Sequence, residues 1–169
     1  IAYARAIGLG TVVVTNGVLL NENIINECFD AGLDWLSISI DAASENVFSR
    51  IRGAGVLDKI THNLRLFAEL KKNRGKLFPK VVAVCTIMND NLEELSDVVR
   101  LSKDLGIERV LFQPVVANNI DQTLRDADHP GSVPFERLGV LDGAIDTLLR
   151  YKEESLPNFS FIGNSTGNL

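Results

Sequence analysis

At 169 residues the chain is long enough for one domain with a substantial core, and its 46% hydrophobic and 23% charged residues are ordinary for a globular protein. A formal net charge of −5 argues against general binding to nucleic acid or to an anionic membrane surface. No apolar run approaches the ~20 residues of a membrane span, no signal peptide is visible, and a cytosolic setting is expected.

Residues 2–7 read as the end of a helix stopped by Gly8 and Gly10. The β-branched run Thr11–Thr15 (TVVVT) predicts a short strand buried on both faces, ended by an Asn16-Gly17 turn. Asn21 then caps a helix with Ile24, Ile25, Cys28 and Phe29 as its apolar positions, and Gly32 follows its end. Leu33–Ile40 predicts a second strand, since Leu36, Ile38 and Ile40 alternate with Ser37, Ser39 and Asp41. Ser44 caps a short helix that ends near Ile51-Arg52-Gly53.

A long amphipathic helix follows, with Leu57, Ile60, Leu64, Phe67 and Leu70 on one face. Lys80–Met88 predicts a third strand, and Asn91 is expected to cap the next helix, with Glu93 and Glu94 in its first turn and Leu92, Leu95, Val98, Val99 and Leu105 buried. Arg109–Val116 predicts a fourth strand. The pattern then lapses from Ala117 to Pro134, a last helix is expected to about Glu153, and Phe159–Ile162 suits a fifth short strand.

Strand then helix, repeated with short connections, means parallel strands with right-handed crossovers. Two α/β plans fit: an open doubly wound sheet, or part of a (β/α) barrel. In both, ligands bind at the carboxyl ends of the strands, which nominates Thr15-Asn16-Gly17, Ser39-Ile40-Asp41, Met88-Asn89-Asp90 and Gln113-Pro114-Val115. These are hydroxyls, amides and carboxylates, with Arg52 the plain cation nearby. Arginine forks onto a carboxylate, and hydroxyls and amides suit sugar oxygens, so the set fits a zwitterionic or ribose-bearing ligand. It lacks the histidine or lysine of a nucleophile–base pair. Ser39 and Asp41 also suit simple capping of the following turn, and Asn16-Gly17 a plain turn. Neither GxGxxG nor GxxxxGK[ST] occurs. Cys28 and Cys85 lie in apolar patterns and read as buried, reduced thiols. His62, mid-helix, and His129, in a polar loop, read as structural or solvated.

The ordered set VVVTNGVLL, GLDWLSISIDAASENVFSRIRGAGVLDKITHNLRLF, NLEELSDVVRLSKDLGIERVLFQPV and NFSFIGNSTGNL resembles the middle and end of a radical SAM (S-adenosylmethionine) core domain. The tail is similar to the branch with a cysteine-rich C-terminal extension. The resemblance implies that Ser39 and Arg52 lie beside the methionyl carboxylate of SAM, that Thr15 and its neighbour Asn16 lie near the methionyl and ribose region, and that Gln113, Pro114 and Val115 meet the adenine. Asp41 is read as orienting the turn. The implied chemistry is reductive cleavage of SAM to methionine and a 5′-deoxyadenosyl radical that abstracts a substrate hydrogen, with the protein positioning and shielding the cofactor. The substrate class left open is a small molecule, a peptide or a protein.

The family's CxxxCxxC motif and its GGE-type segment do not occur in the chain; both belong upstream of Ile1. Residues 1–169 are therefore expected to form the C-terminal portion of a partial TIM barrel that lacks its first strand–helix units and retains neither the [4Fe-4S] cluster nor SAM by itself. The rival readings are a stand-alone α/β binding module, a non-radical barrel enzyme, and an interaction module docking through the acidic stretch Asp121–Asp128. A Schiff-base aldolase would need a lysine at a strand end, and Lys80 is expected at a strand start.

Overall fold

The computed structural model describes residues 1–114 together with 139–140, 142–143, 145–147 and 149. The order is α1 (Ala2–Ala6), β1 (Val12–Thr15), α2 (Glu22–Asp30), β2 (Trp35–Ser39), α3 (Glu45–Arg52), α4 (Leu57–Asn73), β3 (Lys80–Ile87), a 3-10 helix (Asn89–Glu94), α5 (Leu95–Asp104) and β4 (Arg109–Pro114). The expected loop at 117–134, the bulk of the last helix and the strand Phe159–Ile162 lie outside the described residues.

The four strands are parallel and lie in the order β1-β2-β3-β4. That sequential order chooses between the two plans. A doubly wound sheet reverses its winding at a switch point, whereas here every crossover steps the same way and so puts its helices on one side of the sheet. The described residues form an arc of a (β/α) barrel.

Register shows the two faces. Leu36 and Val81 share a row, as do Ile38, Ala83 and Val110, then Cys85 and Phe112, and all of these are buried under the helices. The alternate rows carry Val14, Ser37, Val82 and Arg109, then Ser39, Val84 and Leu111, then Thr86 and Gln113. They form the opposite, more open face.

On the helix side α2 contributes Ile25, Cys28 and Phe29, and α4 contributes Leu57, Ile60, Leu64 and Phe67, with Phe29 and Phe67 rings 5.3 Å apart. Each such large apolar side chain contributes roughly 1.5–3 kcal/mol by leaving water, so this layer holds the sheet. Asn21 and Ser44 cap α2 and α3 as expected, accepting from the Ile24 and Val47 amides at 3.0 and 3.3 Å.

Three expectations need correction. β1 is not buried on both faces: it is an edge of the described sheet, and Val12 and Val14 are 62% and 74% exposed. Ile24 sits at the rim of α2 and is exposed, because the stripe through Ile25, Cys28 and Phe29 already fills the contact. Asn91 caps no α-helix. It lies within the 3-10 turn, fully buried, and the α-helix begins at Leu95.

Candidate functional site

Because the strands are parallel, Thr15, Ser39, Ile87 and Pro114 all end at one edge of the sheet. The turn after β1 is built by its own side chains. Thr15 Oγ1 accepts from the Gly17 amide at 3.1 Å, and Asn16 Oδ1 from the Val18 amide at 3.2 Å. Gly17 has φ +78°, and a Cβ there would lie 3.3 Å from Ile60 Cγ2 and 3.5 Å from Ile38 Cγ2. Only glycine meets both demands. Thr15 shares its row with Ile38 on the helix side, so its hydroxyl shapes the turn rather than facing the open side of the sheet. Asn16 is exposed at the tip.

Ser39, half-buried, stands on the open face between the buried Ile38 and Ile40. Among the described residues its hydroxyl has no hydrogen-bond partner. Asp41 follows, fully buried, with each carboxylate oxygen engaged: Oδ1 accepts from the Thr86 amide at 2.8 Å, and Oδ2 from Arg52 Nε at 2.5 Å. Arg52, the last residue of α3, thereby reaches back to the end of β2 with its side chain 40% exposed. Glu94 holds the turn between them. Its Oε2 accepts from the amides of Ala43 and Ser44 at 2.9 and 3.0 Å, and Oε1 from the Ser44 hydroxyl.

Asn91 ties the β2 end to the β3 end. Its Nδ2 donates to the Asp41 carbonyl at 2.6 Å and the Thr86 carbonyl at 2.7 Å, while its Oδ1 accepts from the Met88 amide at 2.8 Å. At the far side of the sheet, exposed Gln113 shares the open face with Thr86, its register partner. Pro114 pairs in register with Ile87, and Val115 lies outside the described residues. The β2 end, the β3 end and Arg52 are thus joined into one bonded unit, with Gln113 beside it on β4.

Three groups in this unit escaped the sequence reading. Thr86 acts through its backbone, which no side-chain pattern reports. Asn91 and Glu94 suit the local capping of a helix in the sequence, but each also bonds a group about 50 residues away in the chain. Asn63 was also missed: it is a buried amide on the core face of α4, donating to the Gly17 carbonyl at 2.9 Å. Its position three residues after Ile60 and four before Phe67 was a readable signal.

Both cysteines are buried and free. Burial pushes the Cys85 thiol well above its ordinary value, with neighbouring Asp41 adding to the rise and Arg52 opposing it. Burial also raises Cys28, as does nearby Glu27. Separate, buried thiols on α2 and β3 do not fit an iron–sulfur cluster, and no group of three metal-ligating side chains occurs among the described residues. Lys80 opens β3 at the opposite edge from the site, 3.8 Å from Glu108, which is no place for a Schiff base over the strand ends. Among the described residues no helix is long and apolar enough to cross a membrane.

The arrangement has relatives. The sequence matches the family model described as the radical SAM superfamily over residues 1–102. It is 33% identical over 105 residues to an AdoMet-dependent heme synthase of Methanosarcina barkeri, covering 62% of this chain and 28% of that protein. Against a PqqA peptide cyclase of Bradyrhizobium diazoefficiens it is 28% identical over 110 residues, 65% of this chain and 27% of the relative. The chain therefore spans little more than a quarter of the length of these relatives. In fold it is similar to Streptococcus suis SuiB crystallised with S-adenosylmethionine, with a TM-score of 0.65 at 14% identity over 95% of this chain and 34% of that one. With the parallel arc, the TNG turn and the SID strand end on one edge, these matches place the chain in the radical SAM superfamily.

Proposed function

We propose that the chain is the SAM-holding later part of a radical SAM enzyme's barrel, residues 1–169 forming the C-terminal portion of that partial TIM barrel. The single observation that carries this is the Arg52 guanidinium, half-exposed and drawn by its Nε to the end of β2, two residues beyond a Ser39 hydroxyl that faces the open side of the sheet. An arginine and a hydroxyl that has no partner among the described residues, both at one strand end, fit the donor set an amino-acid carboxylate needs.

Arg52 and Ser39 would hold the methionyl carboxylate of SAM. The turn Thr15-Asn16-Gly17 would border the methionyl and ribose region, with Asn16 exposed for contact and Thr15 keeping the turn in shape. Gln113, Pro114 and Val115 would border the adenine. When bound, SAM supplies by reductive cleavage the radical chemistry that removes a hydrogen atom from the substrate. This chain's part is to grip, orient and shield. The cluster's ligands are not among the described residues. The substrate is a small molecule or a peptide, classes that the names of the heme synthase and peptide cyclase relatives suggest.

A charge-assisted hydrogen bond of this kind is worth about 1.5–3 kcal/mol. Calorimetric titration of SAM into the full-length, cluster-loaded protein should show Arg52→Ala binding roughly ten- to a hundredfold more weakly. Ser39→Ala should cost about one neutral hydrogen bond, roughly fivefold. Equal affinities for wild type and Arg52→Ala would mean that Arg52 only closes the turn.

A further inference from the structure

Asp41 is the fully buried carboxylate at the mouth of the sheet, and the grip on the ligand does not use it. Its carboxylate is fully buried, and its oxygens are divided: one to the Thr86 amide on β3, the other to Arg52 Nε. Its carbonyl is held as well, by Asn91. The carboxylate is thus fixed by the backbone of a neighbouring strand and cannot follow Arg52 into solvent.

We propose that Asp41 is the positioning residue for Arg52 in ligand binding, an inference that rests on the reading of the site given above. A guanidinium has two edges that can fork onto a carboxylate, and Nε belongs to only one of them. By taking Nε with a single oxygen, Asp41 leaves the edge formed by the two terminal nitrogens for an incoming carboxylate. It also removes most of the rotational freedom that a 40% exposed arginine at a helix end would otherwise lose on binding. A second consequence concerns charge. Asp41 neutralises Arg52, which taken alone lowers the pull on an incoming carboxylate.

The two effects oppose each other in a variant that keeps the shape and removes the charge. If orientation governs, Asp41→Asn loosens Arg52 and weakens binding. If charge governs, the same substitution frees the cation and strengthens binding to a carboxylate. The experiment uses the full-length, cluster-loaded protein with SAM as titrant, and the Arg52 Nε–H resonance of 15N-arginine-labelled protein without SAM. In wild type this proton should be protected from solvent exchange, and Asp41→Asn should abolish the protection. The same variant should weaken SAM binding about tenfold or more, approaching Arg52→Ala, and the double variant should bind no worse than Arg52→Ala alone. Arg52→Lys is the second variant, chosen because it changes a partly exposed residue and leaves the core untouched. Its one ammonium is claimed by Asp41, so it should bind about as poorly as Arg52→Ala.

Unchanged or tighter binding by Asp41→Asn overturns the proposal while leaving Arg52's role standing. So does a double variant whose losses add in full, and so does wild-type affinity in Arg52→Lys. A wild-type protein that does not bind SAM removes the reading of the site and the role of Asp41 together. A purely architectural Asp41 would lower the melting temperature without changing the SAM dissociation constant, and that result also overturns it.

Discussion

Asn63 Nδ2 on α4 donates to the carbonyls of Gly17 and Val18 at 2.9 and 3.2 Å, so that a buried side chain from the outer helix layer clasps the turn that ends β1. Asn63→Ala removes both bonds, leaving the Gly17 carbonyl only its contact from the Leu20 amide at 3.3 Å, and should cost about 1–3 kcal/mol in urea unfolding. Gly17→Ala forces an alanine to φ +78° with a Cβ 3.3 Å from Ile60 Cγ2, adding about 1–2 kcal/mol of backbone strain alone. An Asn63→Ala unfolding midpoint equal to that of wild type would show that water replaces the clasp.

Glu94 joins the start of α5 to the turn that leads into α3, through the amides of Ala43 and Ser44 and the Ser44 hydroxyl. Glu94→Ala should destabilise by about 2–3 kcal/mol, since charge-assisted bonds are lost. Ser44→Ala, which loses a helix cap, should cost about 1 kcal/mol. Because the two share a hydrogen bond, a double-mutant cycle should give a combined loss smaller than the sum. Strict additivity would indicate that the hydroxyl contact contributes nothing.

Asp34 bonds Thr11 at the base of β1 and β2. Its Oδ2 accepts from the Thr11 amide at 2.8 Å and the Thr11 hydroxyl at 3.0 Å, and Arg5 approaches Oδ1 at 2.9 Å. The Thr11 amide, with its hydroxyl and Arg5 behind it, holds the Asp34 carboxyl below its ordinary value. The unfolded state therefore binds the proton more readily. The group's stabilisation is complete above about pH 4 and is lost as pH falls through the lowered folded value. Melting temperatures measured from about pH 5 down to about pH 2 should fall more steeply for wild type than for Asp34→Asn. Parallel curves would rule Asp34 out as a contributor to acid unfolding.

Cys85 and Cys28 carry raised thiol values because both are buried, and only a thiolate reacts readily. At about pH 8, Ellman's reagent should label neither in the folded chain within the time that free cysteine reacts fully, and both after denaturation in urea. Prompt labelling of Cys85 in the folded protein, located by mass spectrometry, would contradict its placement beneath the helices.

The strands, the long helix, the caps at Asn21 and Ser44 and the candidate edge were legible in the sequence because each is a local pattern. Alternation marks a strand, steps of three and four mark a helix face, and a polar residue before an apolar run marks a helix start. The strand-end rule then put Ser39, Asp41 and Arg52 together without coordinates, since parallel strands share one carboxyl edge. Tertiary structure decided which of them hold each other. Asp41 takes Arg52 and the Thr86 amide, Asn91 bridges Asp41 to Thr86, Glu94 reaches Ser44, and Asn63 reaches Gly17. Several of these partners are about 45–51 residues apart, and a buried donor or acceptor must find whichever group the packing brings within about 3 Å. Packing also placed Thr15 on the helix side of the sheet and opened Val12 and Val14 to solvent on β1, because strand position, not strand composition, determines what covers each face.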